Sequence, residues 1–194
     1  MKKNIQYQNL TITQFERVSL KKQKPICLWM TGLSGSGKTT IANALERALY
    51  KMDKHTYVLD GDNLRLGLNS DLDFSKKDRY ENIRRVAETA KLMVDSGLIV
   101  IVALISPFRS ERDWSRSIFN PNEFKEIYIS TTLNVCEKRD VKGLYQLARG
   151  GAIEDFTGIS SPYEEPLNPE LTIDTENMTI DECVQKILNQ VKSP

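Results

Sequence analysis

Short apolar runs alternate with longer amphipathic segments along most of the chain. Runs of strand length predict buried parallel strands at residues 26–30, 56–59, 98–105, 124–129 and 171–173. Apolar residues at helical spacing predict helices at 40–51, 76–96, 110–119 and 179–191, with a short helix after the fourth strand that runs through residue 135. Strands that alternate with helices predict an α/β fold of three layers, a parallel sheet with helices on both faces.

The two ends of the predicted domain differ in composition from its centre. Residues 1–24 alternate only weakly and end in the basic group Lys21-Lys22-Gln23-Lys24. We expect an N-terminal arm on the surface there, followed by one domain over residues 25–194. Residues 140–170 contain closely spaced glycines and prolines, and a long irregular segment inside a compact domain is usually functional. We therefore expect a mobile lid at about residues 140–165, with an ordinary surface loop as the alternative.

Composition argues against several classes of partner. The chain has 194 residues, of which 40% are apolar and 27% charged, and its formal net charge is +1. A charge so close to zero favours neither nucleic acid nor a membrane surface, so we expect small-molecule partners. The apolar run at 98–105 is far shorter than the roughly 20 residues of a membrane span, and the first residues do not form a signal peptide. Three widely spaced cysteines suggest neither disulfides nor zinc, which favours the thiol-reducing cytoplasm.

One motif carries most of the chemical information. The pattern G-x-x-x-x-G-K-[ST] is matched in full by Gly32-Leu33-Ser34-Gly35-Ser36-Gly37-Lys38-Thr39. A predicted strand precedes it and a predicted helix follows it, so backbone N–H groups can surround phosphate oxygens at a helix N-terminus, as in P-loop NTPases. Lys38 is expected to reach the β- and γ-phosphates of ATP, and Thr39 to bind Mg²⁺ through its hydroxyl. The alternative is a glycine-rich turn without a ligand.

The acidic partner of this loop follows an unexpected strand. P-loop NTPases ordinarily have an aspartate after an apolar strand, but the run at 98–105 is followed by Ser106. Acids instead follow the second predicted strand, in Asp60-Gly61-Asp62-Asn63. Because the carboxyl ends of parallel strands meet at one edge of a sheet, we assign Asp62 to the site, either as a metal ligand or as a proton acceptor. A simple turn is the alternative, since Asp, Gly and Asn favour turns.

The phosphate loop alone is shared by many kinases, but further stretches are more specific. They are Trp29-Met30-Thr31-Gly32-Leu33-Ser34-Gly35-Ser36-Gly37-Lys38-Thr39-Thr40, Leu59-Asp60-Gly61-Asp62-Asn63-Leu64-Arg65, Phe74-Ser75, Asp78-Arg79, Glu81-Asn82-Ile83-Arg84-Arg85, Ile105-Ser106-Pro107-Phe108-Arg109, Lys142-Gly143-Leu144-Tyr145, Phe156-Thr157-Gly158-Ile159 and Ser161-Pro162-Tyr163-Glu164. Together they resemble the adenylylsulfate (APS) kinase family, from about Ile26 to the final helix.

The resemblance implies a reaction and a set of site residues. In that family ATP, with Mg²⁺, phosphorylates the 3′-hydroxyl of APS to give PAPS and ADP, and members are commonly homodimers. The resemblance implies catalytic roles for Lys38, Asp62 and Ser106, and metal binding by Thr39 and Asp62. It implies an ATP site from Gly32 through Thr40 and an APS site formed by Asp62, Arg65, Phe74, Arg79, Asn82, Ile105, Ser106, Lys142, Leu144, Phe156, Thr157, Gly158 and Ile159.

Individual roles also follow from the resemblance. Arg65, Arg79 and Asn82 would hold the phosphosulfate and ribose end of APS, and arginine suits this because it forms forked bonds with such oxygens. Phe74 and Phe156 would sandwich the adenine, since aromatic faces stack on purines. Each phenylalanine has an alternative place in the core. From the lid, Lys142 would reach phosphates.

The family is credited with a phosphorylated serine at the position of Ser106. We favour a positioning role instead, because no base lies beside Ser106 in the sequence and P-loop kinases transfer the phosphoryl group directly. The sequence departs from the family at Leu66, where histidine is usual, at Val141, where proline is usual, and at Tyr7-Gln8, where a Trp-His pair is common.

Two other functions stay open at this point. The chain is alternatively a P-loop kinase for another small-molecule hydroxyl, such as that of a nucleoside or sugar. It is also alternatively a nucleotide-binding module without turnover. The set of Phe74, Phe156 and Arg79 has no evident use with an uncharged sugar, and intact Lys38 and Thr39 argue against a module without turnover.

Overall fold

Five parallel strands form one sheet in the order β2-β3-β1-β4-β5 in a computed structural model that describes residues 5–6 and 8–192. The strands are β1 (Ile26–Thr31), β2 (Thr56–Asp60), β3 (Ile99–Ala103), β4 (Phe124–Ile129) and β5 (Leu171–Ile173). Met30 of β1 lies opposite Ala103 of β3 and Ile127 of β4, while Asp60 of β2 is also opposite Ala103. The carboxyl ends of β1, β2 and β3 are therefore level at one edge of the sheet.

Helices cover both faces of this sheet. They are α1 (Gln14–Lys21), α2 (Lys38–Tyr50), α3 (Gly61–Arg65), α4 (Lys76–Asp95), α5 (Arg109–Ser117), α6 (Leu133–Arg139), α7 (Leu144–Arg149) and α8 (Ile180–Lys192). Side chains alternate between the faces along each strand. Leu28 and Met30 pack with α2 and α8, whereas Cys27 and Trp29 pack with α4. The predicted three-layer α/β architecture is confirmed.

Several local predictions differ from the structure. The predicted arm contains α1, which begins with a capping box in which Thr13 and Glu16 satisfy each other's backbone N–H groups. The sequence Asp60-Gly61-Asp62-Asn63 enters helix α3 rather than a simple turn, and the predicted lid contains helix α7. The helix after β4 extends to Arg139, beyond the predicted residue 135.

The division into an arm at 1–24 and a domain at 25–194 with a lid at 140–165 stays a prediction. Residues 1–4 and 7 of that arm, and residues 193–194 of that domain, lie outside the described residues. All three cysteines are buried and free, as expected for core residues. Within residues 5–6 and 8–192, every helix is too short or too polar to cross a membrane.

Candidate active site

The phosphate loop connects the carboxyl end of β1 to the first residue of α2. Gly37 has a φ of 103° and directly precedes α2, a conformation that residues with a Cβ rarely adopt. A Cβ on Gly32 would lie 2.7 Å from the carbonyl oxygen of Ile129. The carbonyl of Ser36 accepts a hydrogen bond of 2.9 Å from Thr131, which fixes the middle of the loop against β4. The loop geometry thus requires the glycines of the motif.

The ammonium group of Lys38 lies inside this loop. Its Nζ donates hydrogen bonds to the carbonyl oxygens of Gly32 at 2.9 Å and Leu33 at 2.6 Å. Lys38 is buried, and this burial lowers the pKa of its ammonium group to about 8. A phosphate anion at the loop would restore the preference for the charged form and offer better acceptors than the two carbonyls.

The carboxylate closest to the loop is that of Asp60, the last residue of β2. Its Oδ2 accepts a hydrogen bond of 2.8 Å from the hydroxyl of Thr39, and its Oδ1 caps α3 by accepting one from the N–H of Asp62 at 3.0 Å. A hydroxyl and a carboxylate in contact fit Mg²⁺, which prefers oxygen ligands and usually takes one or two protein groups together with phosphates and water. Asp60, which was not assigned to the metal site from the sequence, therefore lies where Asp62 was expected.

The assigned Asp62 lies on α3 and faces the lid. It forms an ion pair with Lys142, in which both side chains are more than half exposed. Two predicted site residues from segments 80 positions apart are thus in direct contact. Because the pair is exposed to solvent, it contributes little to stability and can exchange for other partners.

The lid also contacts the phosphate loop. The hydroxyl of Tyr145, on α7, donates a hydrogen bond of 2.9 Å to the carbonyl of Ser34. The ring of Phe156 packs edge-on against that of Tyr145, with centroids 5.0 Å apart. Gly158 has a φ of 91°, which favours glycine, and a Cβ there would lie 3.1 Å from the side chain of Leu33. The structure therefore brings the predicted residues of the lid to the predicted ATP site.

Two arginines lie beside Phe74, and one of them, Arg79, also contacts the predicted lid. The guanidinium carbon of Arg65 lies 4.4 Å from the centroid of the exposed Phe74 ring. Arg79 donates to the carbonyl of Phe74 at 2.9 Å, to the hydroxyl of Thr157 at 3.3 Å and to the carbonyl of Asp155. Phe74, Arg65 and Arg79 therefore lie together, Arg79 links this group to the predicted lid, and Phe74 is not a core residue.

Ser106 lies just past the carboxyl end of β3 and is almost completely buried. Its hydroxyl accepts a hydrogen bond of 3.1 Å from the indole N–H of Trp29. Its φ is 38°, in the left-handed region that serine rarely occupies. The carbonyls of Ile105 and Ser106 accept hydrogen bonds from Thr31 at 2.7 and 3.3 Å. These contacts fit a fixed, positioned residue better than a nucleophile.

Four other predicted site residues are Asn82, Leu144, Thr40 and Ile159. Asn82 is buried, and its side-chain oxygen accepts a hydrogen bond of 2.9 Å from Asn69. Leu144 begins α7, Thr40 is exposed near the start of α2, and Ile159 lies beside the lid bridge that joins Thr157 to Ser161. Within residues 5–6 and 8–192, no side-chain hydrogen bond joins Asn82 or Thr40 to Arg65, Arg79 or the predicted lid.

A cleft of about 500 Å³ lies between the phosphate loop and the lid. Its lining includes Leu33, Tyr128, Ser130, Gly158 and Tyr163. Lys38, Asp62 and the two arginines beside Phe74 are not among its lining residues. The candidate active site is therefore identified by its side chains and not by this cleft.

Comparison with known proteins agrees with this geometry. The sequence model of the family described as adenylylsulphate kinase matches residues 24–174. The adenylyl-sulfate kinase of Oceanobacillus iheyensis is 53% identical over 189 residues, which cover 97% of this chain and 95% of that protein. The enzyme of Prochlorococcus marinus is 55% identical over 91% of this chain and 89% of its own.

Solved structures give the same answer. The APS kinase of Mycobacterium tuberculosis, in complex with AMPPNP and APS, is similar with a TM-score of 0.84 and 45% identity, over 88% of this chain and 99% of that one. A sugar kinase from Janibacter is only 19% identical, with a TM-score of 0.59, and therefore shares the fold alone. The match over most of the sequence shows that the chain belongs to the adenylylsulfate kinase family.

Proposed function

We propose that the protein transfers the γ-phosphoryl group of ATP to the 3′-hydroxyl of APS, which yields PAPS and ADP. The observation that carries this proposal is the placement of Asp62 and Arg65 on one short helix, between the phosphate loop and the exposed ring of Phe74. Arg79 joins the backbone carbonyl of Phe74 to the lid at Thr157. A site with two arginines and an exposed aromatic ring suits an acceptor that carries both sulfate or phosphate oxygens and a purine.

The phosphate loop performs the first part of the reaction. Its backbone N–H groups and the N-terminus of α2 bind the phosphates of ATP. Nζ of Lys38 leaves the carbonyls of Gly32 and Leu33 and donates to phosphate oxygens, where its charge stabilises the transferring group. Thr39 and Asp60 would hold Mg²⁺, which supplies neutralising charge on the phosphates when it is bound.

Asp62 acts on the acceptor hydroxyl, and Lys142 acts on the phosphates. Phosphoryl transfer is direct, so the acceptor hydroxyl must be oriented toward the γ-phosphorus as its proton is lost. Asp62 accepts this proton or orients the hydroxyl once its ion pair with Lys142 has opened. Lys142 then carries its charge to the phosphates as the lid binds substrate. The exposed ion pair thus keeps both groups at the site before the reaction.

A kinase for an uncharged sugar is the second candidate, and an assay of acceptors separates the two. ADP release is measured with a coupled assay in the presence of ATP and Mg²⁺, with APS, adenosine, gluconate or no acceptor. We expect release only with APS, and mass spectrometry should identify PAPS. Equal release with gluconate would favour a sugar kinase, and tight ATP binding without release would favour a module without turnover.

We also propose that the protein forms a homodimer in the cytoplasm. Helix α1 is attached to the domain by polar contacts, such as that of Arg17 with Asp95 at 2.5 Å, while Phe15 and Leu20 on its surface are about 80% exposed. A second copy that covers these side chains would remove them from water. Sedimentation velocity of the wild-type chain and of Phe15→Ser tests the proposal. A wild-type monomer or hexamer would contradict it.

A further inference from the structure

Arg112, on α5, is a fully buried charged residue that none of the predicted roles uses. Its exposed fraction is 2%. Its Nε donates to Oε1 of Glu126 at 2.6 Å, its Nη1 to the carbonyl of Ser106 at 2.7 Å, and its Nη2 to the carbonyl of Glu164 at 2.7 Å. One guanidinium group therefore joins strand β4, the loop after β3 and the end of the predicted lid.

The same two segments are joined by further hydrogen bonds. The N–H of Glu164 donates to the carbonyl of Pro107 at 2.8 Å, and the N–H of Arg109 donates to the carboxylate of Glu164 at 2.8 Å. The hydroxyls of Thr31 and Tyr163 lie 2.9 Å apart. The end of the lid is thus attached to the loop that carries Ser106, and Arg112 lies at the centre of this attachment.

The backbone of Ser106 needs such support. A serine with a φ of 38° has a conformation that costs free energy and persists only where surrounding contacts fix it. Trp29 holds its hydroxyl, while Arg112 holds its carbonyl with a charge-assisted hydrogen bond. The carboxylate of Glu126 pairs with the guanidinium and orients it, because a buried charge without a partner is strongly unfavourable.

We propose that Arg112 is a positioning residue for the acceptor site. It fixes the distance between Ser106 and the end of the lid, so that the loop after β3 and residues 156–159 close on the same acceptor molecule. This inference rests on the proposed function, because it takes Ser106 and the lid as parts of the APS site. Arg112 itself contacts neither substrate.

Arg116 provides a matched control on the same helix. It lies one turn after Arg112 and also forms ion pairs, with Glu126 at 3.6 Å and Glu170 at 2.5 Å. Its hydrogen bonds go to Glu170, with no bond from its guanidinium to Ser106 or Glu164 among the described contacts. If Arg112 only stabilised the fold, lysine at either position would have the same kind of effect.

The experiment compares Arg112→Lys with Arg116→Lys in the complete chain. Lysine keeps the positive charge but has one nitrogen, which cannot reach three segments in different directions. We expect Arg112→Lys to raise KM for APS about tenfold, as the loss of about one charge-assisted hydrogen bond would. KM for ATP should change less than twofold, and Arg116→Lys should change neither constant. An unchanged KM for APS in folded Arg112→Lys would overturn the inference.

A second measurement does not depend on activity. Amide hydrogen exchange without substrates should become faster at residues 104–108 and 158–165 in Arg112→Lys but not in Arg116→Lys. Equal acceleration in both variants, or in neither, would overturn the positioning role. If wild-type protein fails to phosphorylate APS, the proposed function fails, and the exchange result still decides whether Arg112 joins the two segments. Should Arg112→Lys not fold, Glu126→Gln tests the same contact, with the same direction of change expected at both segments.

Discussion

The hydroxyl of Thr39 donates a hydrogen bond of 2.8 Å to the carboxylate of Asp60. This contact links the last residue of the phosphate-loop motif to the last residue of β2. We expect Asp60→Asn to raise the Mg²⁺ concentration needed for half-maximal activity by about ten- to a hundredfold, because the change removes the negative charge that would hold Mg²⁺ together with Thr39. Excess Mg²⁺ should recover most of the rate. Titration of activity with Mg²⁺ at saturating ATP and APS is the measurement.

The neighbouring Asp62 should respond differently. Asp62→Asn keeps the shape of the side chain and removes its charge and its ion pair with Lys142. If Asp62 accepts the proton of the acceptor hydroxyl, kcat should fall by a factor of about 10² or more while KM for ATP changes little. Excess Mg²⁺ should not restore it. A variant that recovers with Mg²⁺ as Asp60→Asn does would assign Asp62 to the metal instead.

Ser106→Ala should remain active. Its hydroxyl accepts a bond from Trp29 and is buried, so its removal leaves one indole N–H unpaired without removing a reacting group. Such a loss costs about 1–3 kcal/mol of stability, and we expect kcat to stay within about tenfold of the wild-type value. Turnover with ³²P-labelled ATP, followed by denaturing gel electrophoresis, should show no labelled wild-type protein. Transfer of label from protein to APS would establish a phosphoenzyme.

Phe74 and Phe156 should contribute to acceptor binding and not to ATP binding. Stacking of a base on an aromatic ring contributes about 1–3 kcal/mol, so Phe74→Ala or Phe156→Ala should raise KM for APS about five- to a hundredfold. Phe74 is 64% exposed without a ligand, so its replacement should leave the thermal midpoint nearly unchanged. Phe119→Ala, in the core, is a control that should lower the midpoint and leave KM for APS unaltered. An unchanged KM for APS in both site variants would show that the adenine of APS does not bind between these two rings.

The centre of the sheet was predictable from the sequence because β1 and β3 are short, nearly continuous apolar runs. The runs beginning at Ile26 and Ile99 form strands that are buried along their full length. Helix α1 was missed because Phe15 and Leu20 face solvent and leave no apolar stripe toward the core. The signal that would have identified α1 is the capping pair of Thr13 and Glu16.

Site residues were predictable where they share one sequence motif, and less so where the fold brings distant residues together. Lys38 and Thr39 lie in one motif, and the sequence analysis assigned Asp62 to the site without a role for Asp60. The positions of these two carboxylates depend on helix α3, which Asp60 caps from its place against Thr39, while Asp62 lies on the helix beside Lys142. Arg112 gave no sequence signal, because a charged residue on a helix normally faces solvent. Its buried charge is paired with Glu126, which lies on strand β4.

Lys38→Met should remove most turnover and change how stability depends on pH. Loss of the charge on the transferring group should lower kcat by a factor of about 10² to 10³ or more, in a protein that still folds. The pKa of Lys38 is lowered by burial to about 8, from 10.5 for an ordinary lysine. Below about pH 8 the folded and unfolded chains both carry this proton, so the side chain contributes no pH dependence there.

Between about pH 8 and 10.5 the unfolded chain binds more of this proton than the folded chain does, so Lys38 makes the free energy of unfolding rise with pH. Lys38→Met has no such proton. The variant should therefore be more stable than wild type at pH 7, by up to about 3 kcal/mol, and this advantage should shrink steadily toward pH 10. Urea denaturation of both proteins without nucleotide, at pH 7, 8, 9 and 10, gives the difference in the free energy of unfolding directly.

A saturating ATP analogue should reduce the rise with pH of the wild-type free energy of unfolding, because phosphate oxygens favour the charged ammonium group. A difference that stays constant across this range would show that Lys38 titrates alike in the folded and unfolded chains.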